Sequence, residues 1–556
     1  MWSVGERNHS CQYGATIGTM KSVTLPSGKD VFDLLMQVLP SLLLPLSFLW
    51  DVSSYWQLRL RFWRSSGRRD HLGKVEGVQA QVRRWRQEGG GRRMCTARPS
   101  WLSISGTYPI AYKDKMWRVE VHDLQDLLWV DRERMEVAVE PGITIGALNR
   151  VLQGQGLGLA VVPEVDHLTV GGLVLGGGLE STSHKHGMFH QLATEYELVT
   201  ADGECIIASQ AENSDLFRVL PMSYGTFGFL TRLTLRVEHL KPWVRLQYNI
   251  SRSLEETTLI LERETRREEG NDSVEGIAFS KDTAVIMTGV FIHQDRLDWS
   301  RVNRMGRWYK PWFYHHVRSF LDSGDQEEHV EFVPTLHFHQ RHNKPCFWLT
   351  GRLLPWAHAP LARLLTGWLL PLNYQLMQLV KKVFAPKQVD ERFVVQDFIL
   401  PIRHVQKAIE FCDETTGIYP LWLVPTTLAE MPEKGVFVDL GIYGWSPLPT
   451  FAGKDATLRM FEQFTLEHGG YQGLYADTLM SFEEFFQMFS EFGEQYAKVR
   501  ARLPLCNEAF PTVYEKVGSL GVGHVGQVSR AGRRGEEAVP RGGAPGGNMV
   551  ACPLCR

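Results

Sequence analysis

The stretch that decides the fold spans residues 169–181 and reads Thr169-Val170-Gly171-Gly172-Leu173-Val174-Leu175-Gly176-Gly177-Gly178-Leu179-Glu180-Ser181. Five of the eight residues from Gly171 to Gly178 are glycine. Because glycine has no Cβ, such a segment tolerates positive φ and lets backbone N–H groups approach an anion closely. The spacing fits neither G-x-G-x-x-G nor a phosphate loop that ends in Lys-Ser/Thr. Taken alone, the stretch is more typical of a structural turn than of a binding site.

Two flanking segments shift this interpretation towards a binding site. Upstream, residues 137–148 (V-A-V-E-P-G-I-T-I-G-A-L) predict a strand that ends at Pro-Gly and enters a helix. Downstream, residues 213–217 (N-S-D-L-F) lead to residues 225–230 (G-T-F-G-F-L) and then to an alternating strand. Short apolar runs predict further strands, at 135–139, 196–200 and 230–237.

In this order, the motifs V-x-P-G-x-x-x-G-x-L, T-V-G-G with spaced glycines, and D-L-F followed by G-x-x-G-F resemble the FAD-binding domain of the vanillyl-alcohol-oxidase (PCMH-type) superfamily. Within that superfamily, residues 163–172 (P-E-V-D-H-L-T-V-G-G) and 180–187 (E-S-T-S-H-K-H-G) resemble the Δ24-sterol reductase (24-dehydrocholesterol reductase) family. Further segments that resemble this family lie at 94–99, 309–313, 394–397 and 474–477. The first 30 residues and those after about 518 depart from the family pattern.

The resemblance implies an α+β fold, in which a two-part FAD-binding domain is joined to an α+β substrate or cap domain and to an N-terminal membrane anchor. A chain of 556 residues is long enough for two to four domains. The boundaries we expect are 1–30 for a divergent polar leader, 31–56 for the anchor, 57–94 for a basic linker and amphipathic helix, 95–240 for the FAD-binding domain, 241–455 for the cap, 456–520 for a segment returning to the flavin, and 521–556 for a disordered tail.

The resemblance also implies the cofactors. FAD would lie extended in a cleft, with its pyrophosphate cradled by residues 169–181, above all by Thr169, the glycines and Ser181. Relatives that attach flavin covalently use a histidine in an early loop, and the matching residues 96–100 contain none. We therefore expect non-covalent FAD, with Cys95 as a small buried side chain and NADPH as the reductant.

The reaction implied is the reduction of the C24–C25 side-chain double bond of sterols such as desmosterol. An isolated alkene accepts hydride poorly, so the reaction needs a positioned proton donor in an apolar pocket. The candidate donors are Tyr475 and Asp477, late in the chain, and His184 or Lys185 beside the glycine-rich stretch. Structural roles compete with each of them, because a Tyr beside an Asp is often a hydrogen-bonded pair and a histidine can brace a loop.

A membrane anchor is predicted between Asp33 and Asp51, where 17 uncharged residues include 12 that are Leu, Val, Met, Phe or Trp. Residues 57–93 then carry eleven Lys or Arg, which favours a cytosolic catalytic body. Pro40 and Pro45 and the short length leave open a helix that lies in the interface instead of spanning it. We expect the endoplasmic reticulum membrane, with the Golgi membrane as the alternative.

Composition limits the other partners. Sixty Lys plus Arg against 62 Asp plus Glu demand no nucleic-acid partner, and eight scattered cysteines favour reduced thiols. His337, His339 and His342 lack a carboxylate at a telling interval, so we expect no metal site. The apolar segment 353–380 fits either a domain core or a surface that meets a membrane or an apolar substrate.

Two other functions stay open at this point. One is an FAD-dependent oxidase or dehydrogenase of a small alcohol or hydroxy acid, which the apolar segments speak against. The other is a catalytically silent membrane protein that binds sterol.

Overall fold

The computed structural model describes residues 41–54, 56–57, 60, 68–89, 91–99, 102, 113, 115–267, 270–322, 329–371, 392–428 and 435–518. The expected polar leader at 1–30 and tail at 521–556 lie outside these residues, as does part of the expected anchor.

Strands and helices alternate irregularly along the chain. The strands are β1 (Met94–Thr96), β2 (Trp117–Val119), β3 (Leu127–Asp131), β4 (Glu136–Val139), β5 (Leu157–Gly158), β6 (Ala193–Val199), β7 (Cys205–Ser209), β8 (Phe229–Arg236), β9 (Glu238–His239), β10 (Trp243–Ser251), β11 (Ser273–Ser280), β12 (Thr283–Ile292), β13 (Val330–Pro334), β14 (Phe393–Pro401), β15 (Leu421–Thr427), β16 (Val436–Trp445) and β17 (Tyr471–Gln472). The helices are α1 (Arg68–Glu88), α2 (Ile145–Gln153), α3 (Val170–Gly176), α4 (Ser183–His186), α5 (Ser214–Val219), α6 (Leu254–Thr265), α7 (Phe313–Ser319), α8 (Thr335–His339), α9 (Leu349–Leu353), α10 (Pro360–Thr366), α11 (Val405–Thr415), α12 (Lys454–Glu467), α13 (Phe482–Met488), α14 (Ser490–Arg502), α15 (Cys506–Ala509) and α16 (Val513–Val517).

Two antiparallel sheets organise these elements. The first has five strands in the order β3-β4-β8-β6-β7, and the second has eight in the order β13-β10-β12-β11-β15-β16-β14-β17. The two-stranded sheets β1-β2 and β5-β9 complete the set among the described residues. The predicted α+β class is therefore confirmed, and the strands predicted at 135–139, 196–200 and 230–237 correspond to β4, β6 and β8.

The predicted amphipathic helix is α1, which packs on the core of the five-stranded sheet. Val75, Val78, Val82 and Trp85 are buried in that core, as their helical spacing indicates. The helix is also held by charge, since buried His71 lies 2.9 Å from both Glu140 and Glu197. Its polar and apolar contacts thus fix the basic segment onto the folded body.

The eight-stranded sheet has two differently covered faces. On one face, alternate residues of β14 and β16 pack with the helices α6, α11 and α12 in a single core. On the other face, Asp397 of β14 and Asp439 and Tyr443 of β16 alternate with those core residues, because successive side chains of a strand point to opposite faces. This second face is turned towards the segment that leads into the glycine-rich stretch, since Glu164 lies near Asp439.

Residues 41–54 are helical and pack on the apolar segment near residue 360. Leu44 is buried with Trp312, Leu354, Ala357 and Leu370. This core shows that part of the 353–380 segment is domain interior. Among the described residues, no helix combines the length and the apolar character needed to cross a membrane. The surface of these two elements nevertheless exposes large apolar side chains, namely Leu42, Leu46, Leu49, Trp50, Leu361, Leu364, Leu365 and Trp368.

Candidate functional site

The glycine-rich stretch begins with a helix, although its glycines are more typical of a turn or loop. Thr169 is its extended N-cap residue, and Val170–Gly176 form α3. The reason is the spacing of Val170, Leu173 and Val174, which are all buried in the core of the five-stranded sheet and lie on one helical face. Their burial supplies the contacts that hold a helix with three glycines in place. The side chains of these three residues therefore serve the core.

The N–H groups at the start of α3 are partly satisfied within the protein. Val170 N–H donates to the carbonyl of Ile143 at 2.9 Å, and Gly171 N–H donates to the carbonyl of Pro141 at 2.9 Å. A Cβ on Gly171 would meet Pro141 Cβ at 2.5 Å, so glycine is needed there for close approach. The expected cradle of bare backbone N–H groups is thus smaller than the sequence indicates.

Glycines further along the helix leave one surface open. Gly172 is exposed, and a Cβ built there would lie 2.9 Å from Thr169 Oγ1, with no other contact within 4 Å from the described residues outside its own helix backbone. At Gly176, such a Cβ would come no closer than 3.9 Å to the ring of Tyr224. Gly177 has a φ of +86°, which favours glycine, and it ends the helix. The exposed surface of Gly172 and Gly176 can therefore be approached closely by a ligand.

Three cationic side chains lie beside this surface. Arg98 donates to Thr169 Oγ1 at 3.2 Å, Lys113 donates to the carbonyl of Arg98 at 2.8 Å, and Lys516 donates to the carbonyl of Tyr224. All three are partly exposed. Lys516 comes from α16, near the end of the described chain, and its Nζ lies 3.8 Å from a Cβ built on Gly225.

The pKa values of these three cations all lie below their ordinary values. Burial lowers the pKa of Arg98. Burial is the main cause that lowers the pKa of Lys113; Cys95 opposes it, and the charges of Arg98 and Arg118 lower the pKa further. Burial and the charge of Lys113 lower the pKa of Lys516 to about 8. A bound anion would reverse all three effects, because an opposite charge favours the protonated form of a cation. The residues present therefore fit a phosphate-bearing ligand.

The end of the glycine-rich stretch is tied to the eight-stranded sheet by buried charges. Arg341 has no exposed side-chain surface and lies 2.6 Å from both Glu180 and Glu275. It also donates to Ser181 Oγ at 3.2 Å. Val274 N–H, in β11, donates to the carbonyl of Ser181 at 2.8 Å. Glu180 and Ser181 thus join the two sheets.

The ionisation of this network follows from its composition. Although burial lowers the pKa of Arg341, the carboxylates of Glu180 and Glu275 raise it above its ordinary value. Although burial raises the pKa of Glu275, Arg341 and His342 hold it well below its ordinary range. Burial, followed by the charge of Glu180, raises the pKa of Glu164 well above its ordinary value. Glu164 therefore keeps its proton to a higher pH than a carboxyl group in water does.

A second group of acids lies on the same face of the eight-stranded sheet. Tyr443 donates to Oδ1 of Asp397 at 2.6 Å, and Tyr475 also hydrogen-bonds to Asp397. A Cβ on Gly441, the cross-strand partner of Asp397, would lie 2.4 Å from the Tyr443 hydroxyl, so glycine makes room for this contact. Asp439 is fully buried, and neither of its carboxyl oxygens has a hydrogen-bond partner among the described residues. We call Glu164, Asp397, Asp439, Tyr443 and Tyr475 the acid cluster.

The pKa values in the acid cluster are shifted upwards. Burial raises the pKa of Asp397 to about 6, although the hydrogen bonds from Tyr443 and Tyr475 lower it. Burial, and then the nearby Asp397 and Glu164, raise the pKa of Asp439 well above its ordinary value. Asp397 and Tyr475 are partly accessible, whereas Asp439 and Tyr443 are buried. Asp397 and Tyr475 are therefore the residues of these four that keep some exposed surface.

The three predicted catalytic residues have different surroundings. Tyr475 belongs to the acid cluster. Asp477 is paired with Lys454 instead. The ring nitrogens of His184 lie 3.1 Å from the carbonyl oxygens of Ser181 and Asn271, and burial lowers its pKa. The structure thus joins only Tyr475 of these three to the other buried acids, and gives His184 a bracing position.

The histidines at 337, 339 and 342 do not converge. His342 lies 2.9 Å from Glu275, and buried His339 lies 3.2 Å from Asn149. Among the described residues, no group of three or more His, Cys, Asp or Glu has a geometry that could hold a metal ion.

Sequence reasoning missed several residues of the site. Arg98 and Asp397 lie within segments that carried the family resemblance, but neither was assigned a role. Lys516 is 347 positions away from Thr169 in the sequence, and no local pattern connects them. The signal that identifies these residues is the effect of burial on their pKa values, which only the tertiary structure reveals.

Similarity to known proteins extends over most of the chain. Residues 77–209 match a family model described as an FAD binding domain. The Delta(24)-sterol reductase of Homo sapiens is 38% identical, over 85% of this chain and 92% of the relative. The Delta(24)-sterol reductase homolog of Caenorhabditis elegans is 33% identical, over 85% of this chain and 93% of the relative. The Delta(24)-sterol reductase of Arabidopsis thaliana is 30% identical, over 80% of this chain and 82% of the relative.

Proposed function

This chain belongs to the Δ24-sterol reductase family, and we propose that it is an FAD-dependent oxidoreductase that reduces the C24–C25 side-chain double bond of sterols with NADPH. The observation that carries the proposal is family membership along most of the chain, combined with a cation-lined surface beside the FAD-binding residues. NADPH is proposed as the reductant because reduced flavin must be regenerated. The FAD oxidase and the silent sterol-binding protein, which the sequence leaves open, have no comparable support.

The residues present fit FAD held without a covalent bond. Arg98, Lys113 and Lys516 would neutralise the pyrophosphate, and the exposed surface of Gly172 and Gly176 leaves room for its close approach. When bound and reduced, FAD supplies the hydride for the reaction. Cys95 is buried beside the two lysines, and we propose that it packs there without bonding to the flavin.

The remaining chemistry belongs to the protein. The buried network of Arg341, Glu180 and Glu275 fixes the glycine-rich segment against the eight-stranded sheet and excludes water from that junction. On the same face, burial raises the pKa values of the carboxyl groups of the acid cluster, so they keep their protons to a higher pH than in water. A reduction that joins a hydride with a proton needs both a positioned acid and a dry site.

An apolar substrate requires access from a lipid phase, and we propose that the protein docks on a membrane. The side chains of Leu42, Leu361, Leu364 and Leu365 are each more than half exposed, an arrangement that suits insertion into a bilayer surface. The tryptophans Trp50 and Trp368 accompany them, and tryptophan favours the membrane interface. By this proposal the protein lies on the endoplasmic reticulum or Golgi membrane with its catalytic body in the cytosol.

The proposal is tested with full-length protein purified in detergent. We expect the absorbance band of oxidised flavin at about 450 nm. NADPH consumption should depend on added desmosterol, and mass spectrometry should show that desmosterol is converted to a product two mass units heavier. Protein that holds flavin but leaves desmosterol unchanged would contradict the sterol reductase proposal. Oxidation of small alcohols by the same preparation would then favour the oxidase.

A further inference from the structure

Asp397 combines partial exposure of the residue with a carboxyl group whose pKa is raised. It is partly accessible, although it sits deep between two sheets. It belongs to β14, and its neighbours Gln396 and Phe398 point to the other face of the sheet. Of the two aspartates in the acid cluster, Asp397 is the one whose residue keeps some exposed surface, whereas Asp439 is fully buried.

Two tyrosines fix the position of this carboxyl group. Tyr443 approaches from β16 and donates to Oδ1 at 2.6 Å. Tyr475 approaches from the loop after β17, where a Cβ on Gly473 would lie 3.2 Å from its ring and 3.3 Å from Asp397 Cβ. The Gly473 N–H donates to the Asp397 carbonyl at 3.0 Å, which locks that loop onto β14. The carboxyl group is therefore held from two elements and has little freedom to rotate.

Among the residues that the structure describes, the groups that perturb the Asp397 carboxyl include no cation. Tyr443, Asp439 and Tyr475 face it from β16 and from the loop after β17, and Glu164 lies beyond Asp439. None of these groups carries positive charge. A carboxyl group in such surroundings keeps its proton to a higher pH than one in water, which is the property that a proton donor needs at neutral pH.

We propose that Asp397, held by the hydroxyls of Tyr443 and Tyr475, is the acid that protonates the sterol double bond. The inference rests on the function proposed above and assigns its missing acid. Tyr475 and Tyr443 are positioning residues here, because a carboxylic acid is a far stronger acid than a phenol.

The proposed step balances in atoms and electrons. The O–H bond of the Asp397 carboxyl breaks, and its proton forms a C–H bond with the less substituted alkene carbon by using the π electron pair. The more substituted carbon, which becomes electron-deficient, takes the hydride that the flavin chemistry supplies. Asp397 is left as a carboxylate and regains a proton from water. NADPH is the net reductant, and each turnover consumes one NADPH and one proton.

The first test separates the two halves of the reaction in full-length, FAD-loaded enzyme. With Asp397→Asn, we expect flavin reduction by NADPH to keep its wild-type rate. Anaerobic reoxidation of the reduced flavin by desmosterol should slow about 10²- to 10⁴-fold, the usual contribution of a general acid. Asp397→Glu should restore part of the rate. The matched control is Asp413→Asn, which changes a carboxylate that also accepts from a tyrosine, Tyr419, at 3.0 Å.

The second test needs neither flavin nor turnover. In apoprotein, the infrared C=O band of a protonated carboxyl should disappear with a midpoint near pH 6, the pKa of Asp397. We expect this transition in the wild type and in Asp413→Asn, and we expect it to be missing in Asp397→Asn. In Tyr443→Phe the midpoint should move to higher pH, because the lost hydrogen bond stabilised the carboxylate. If Tyr443 only packed beside Asp397 without hydrogen-bonding to its carboxylate, Tyr443→Phe would leave this midpoint unchanged.

The outcomes distinguish a wrong assignment of the acid to Asp397 from a wrong assignment of the reductase function. Wild-type enzyme whose reduced flavin never reacts with desmosterol would refute both. Rapid sterol-dependent reoxidation in Asp397→Asn would overturn the inference and leave the reductase intact. An unchanged infrared transition in that variant would likewise show that another group carries the proton.

Discussion

Replacing Asp397 with Asn is expected to stabilise the folded protein at neutral pH. The unfolded carboxyl group ionises near pH 3.8, whereas the folded one keeps its proton to about pH 6. The folded state therefore binds more protons between these values, so stability falls as pH rises through this interval and stays reduced above it. A difference of about two pKa units corresponds to about 3 kcal/mol at pH 8. Asn keeps the shape and accepts from Tyr443 but cannot ionise, so we expect a gain of about 2–3 kcal/mol there.

Urea unfolding of both proteins in detergent, followed by tryptophan fluorescence at pH 5 and pH 8, measures this gain. The advantage of the variant should be larger at pH 8 than at pH 5 by about 1 kcal/mol or more. The control is Asp298→Asn, since hydrogen bonds from Ser300 lower the pKa of Asp298 and the expected effect has the opposite sign. A variant that is no more stable than the wild type at pH 8, or whose advantage does not grow with pH, would refute the argument that Asp397 is a destabilised carboxylate.

Three further substitutions test the rest of the site. Arg341→Ala leaves Glu180 and Glu275 buried without their cation. We expect the free energy of unfolding, measured by urea titration, to fall by about 3–5 kcal/mol. We also expect flavin to be released, which absorbance would detect. Gly172→Leu places a side chain on the open surface of α3, so folded protein should purify without flavin, as judged by circular dichroism and absorbance. Leu364→Asp puts a charge on the exposed apolar surface and should reduce flotation with phosphatidylcholine vesicles.

Each of these substitutions has a matched control. Arg84→Ala removes an exposed ion pair with Glu88 and should cost less than about 1 kcal/mol. Gly77→Leu adds the same side chain on the exposed surface of α1, where a Cβ meets nothing within 4 Å, and flavin should remain bound. Leu259→Asp changes an exposed leucine of α6, and vesicle binding should persist. Loss of flavin in the Gly77 variant, or of flotation in the Leu259 variant, would show that the effects are not local.

The sequence predicted the parts of the fold that depend on local pattern. The apolar spacing of α1 and the alternating runs of β4, β6 and β8 each need only a few neighbouring residues to be recognised. The helical start of the glycine-rich segment was not predicted, because glycine lowers helix propensity and the burial of Val170, Leu173 and Val174 outweighs that preference.

The site could be predicted only where its residues are close in sequence. Tyr475 was a candidate because it lies in a segment that resembles the family. Its partner Asp397 acquires its properties from strand register, which sets it opposite Gly441 and within reach of Tyr443. The same limit applies to Lys516, whose approach to Tyr224 spans nearly 300 residues. Contacts of this range depend on the packing of the two sheets, which no local pattern encodes.

The central claim is that flavin held beside residues 169–181 passes two electrons to a sterol. The most direct measurement is a single turnover without oxygen, in which enzyme reduced by one equivalent of NADPH is mixed with desmosterol. We predict that the oxidised flavin band returns and that one molecule of saturated sterol forms for each flavin. A flavin that stays reduced while the sterol remains unchanged would contradict it.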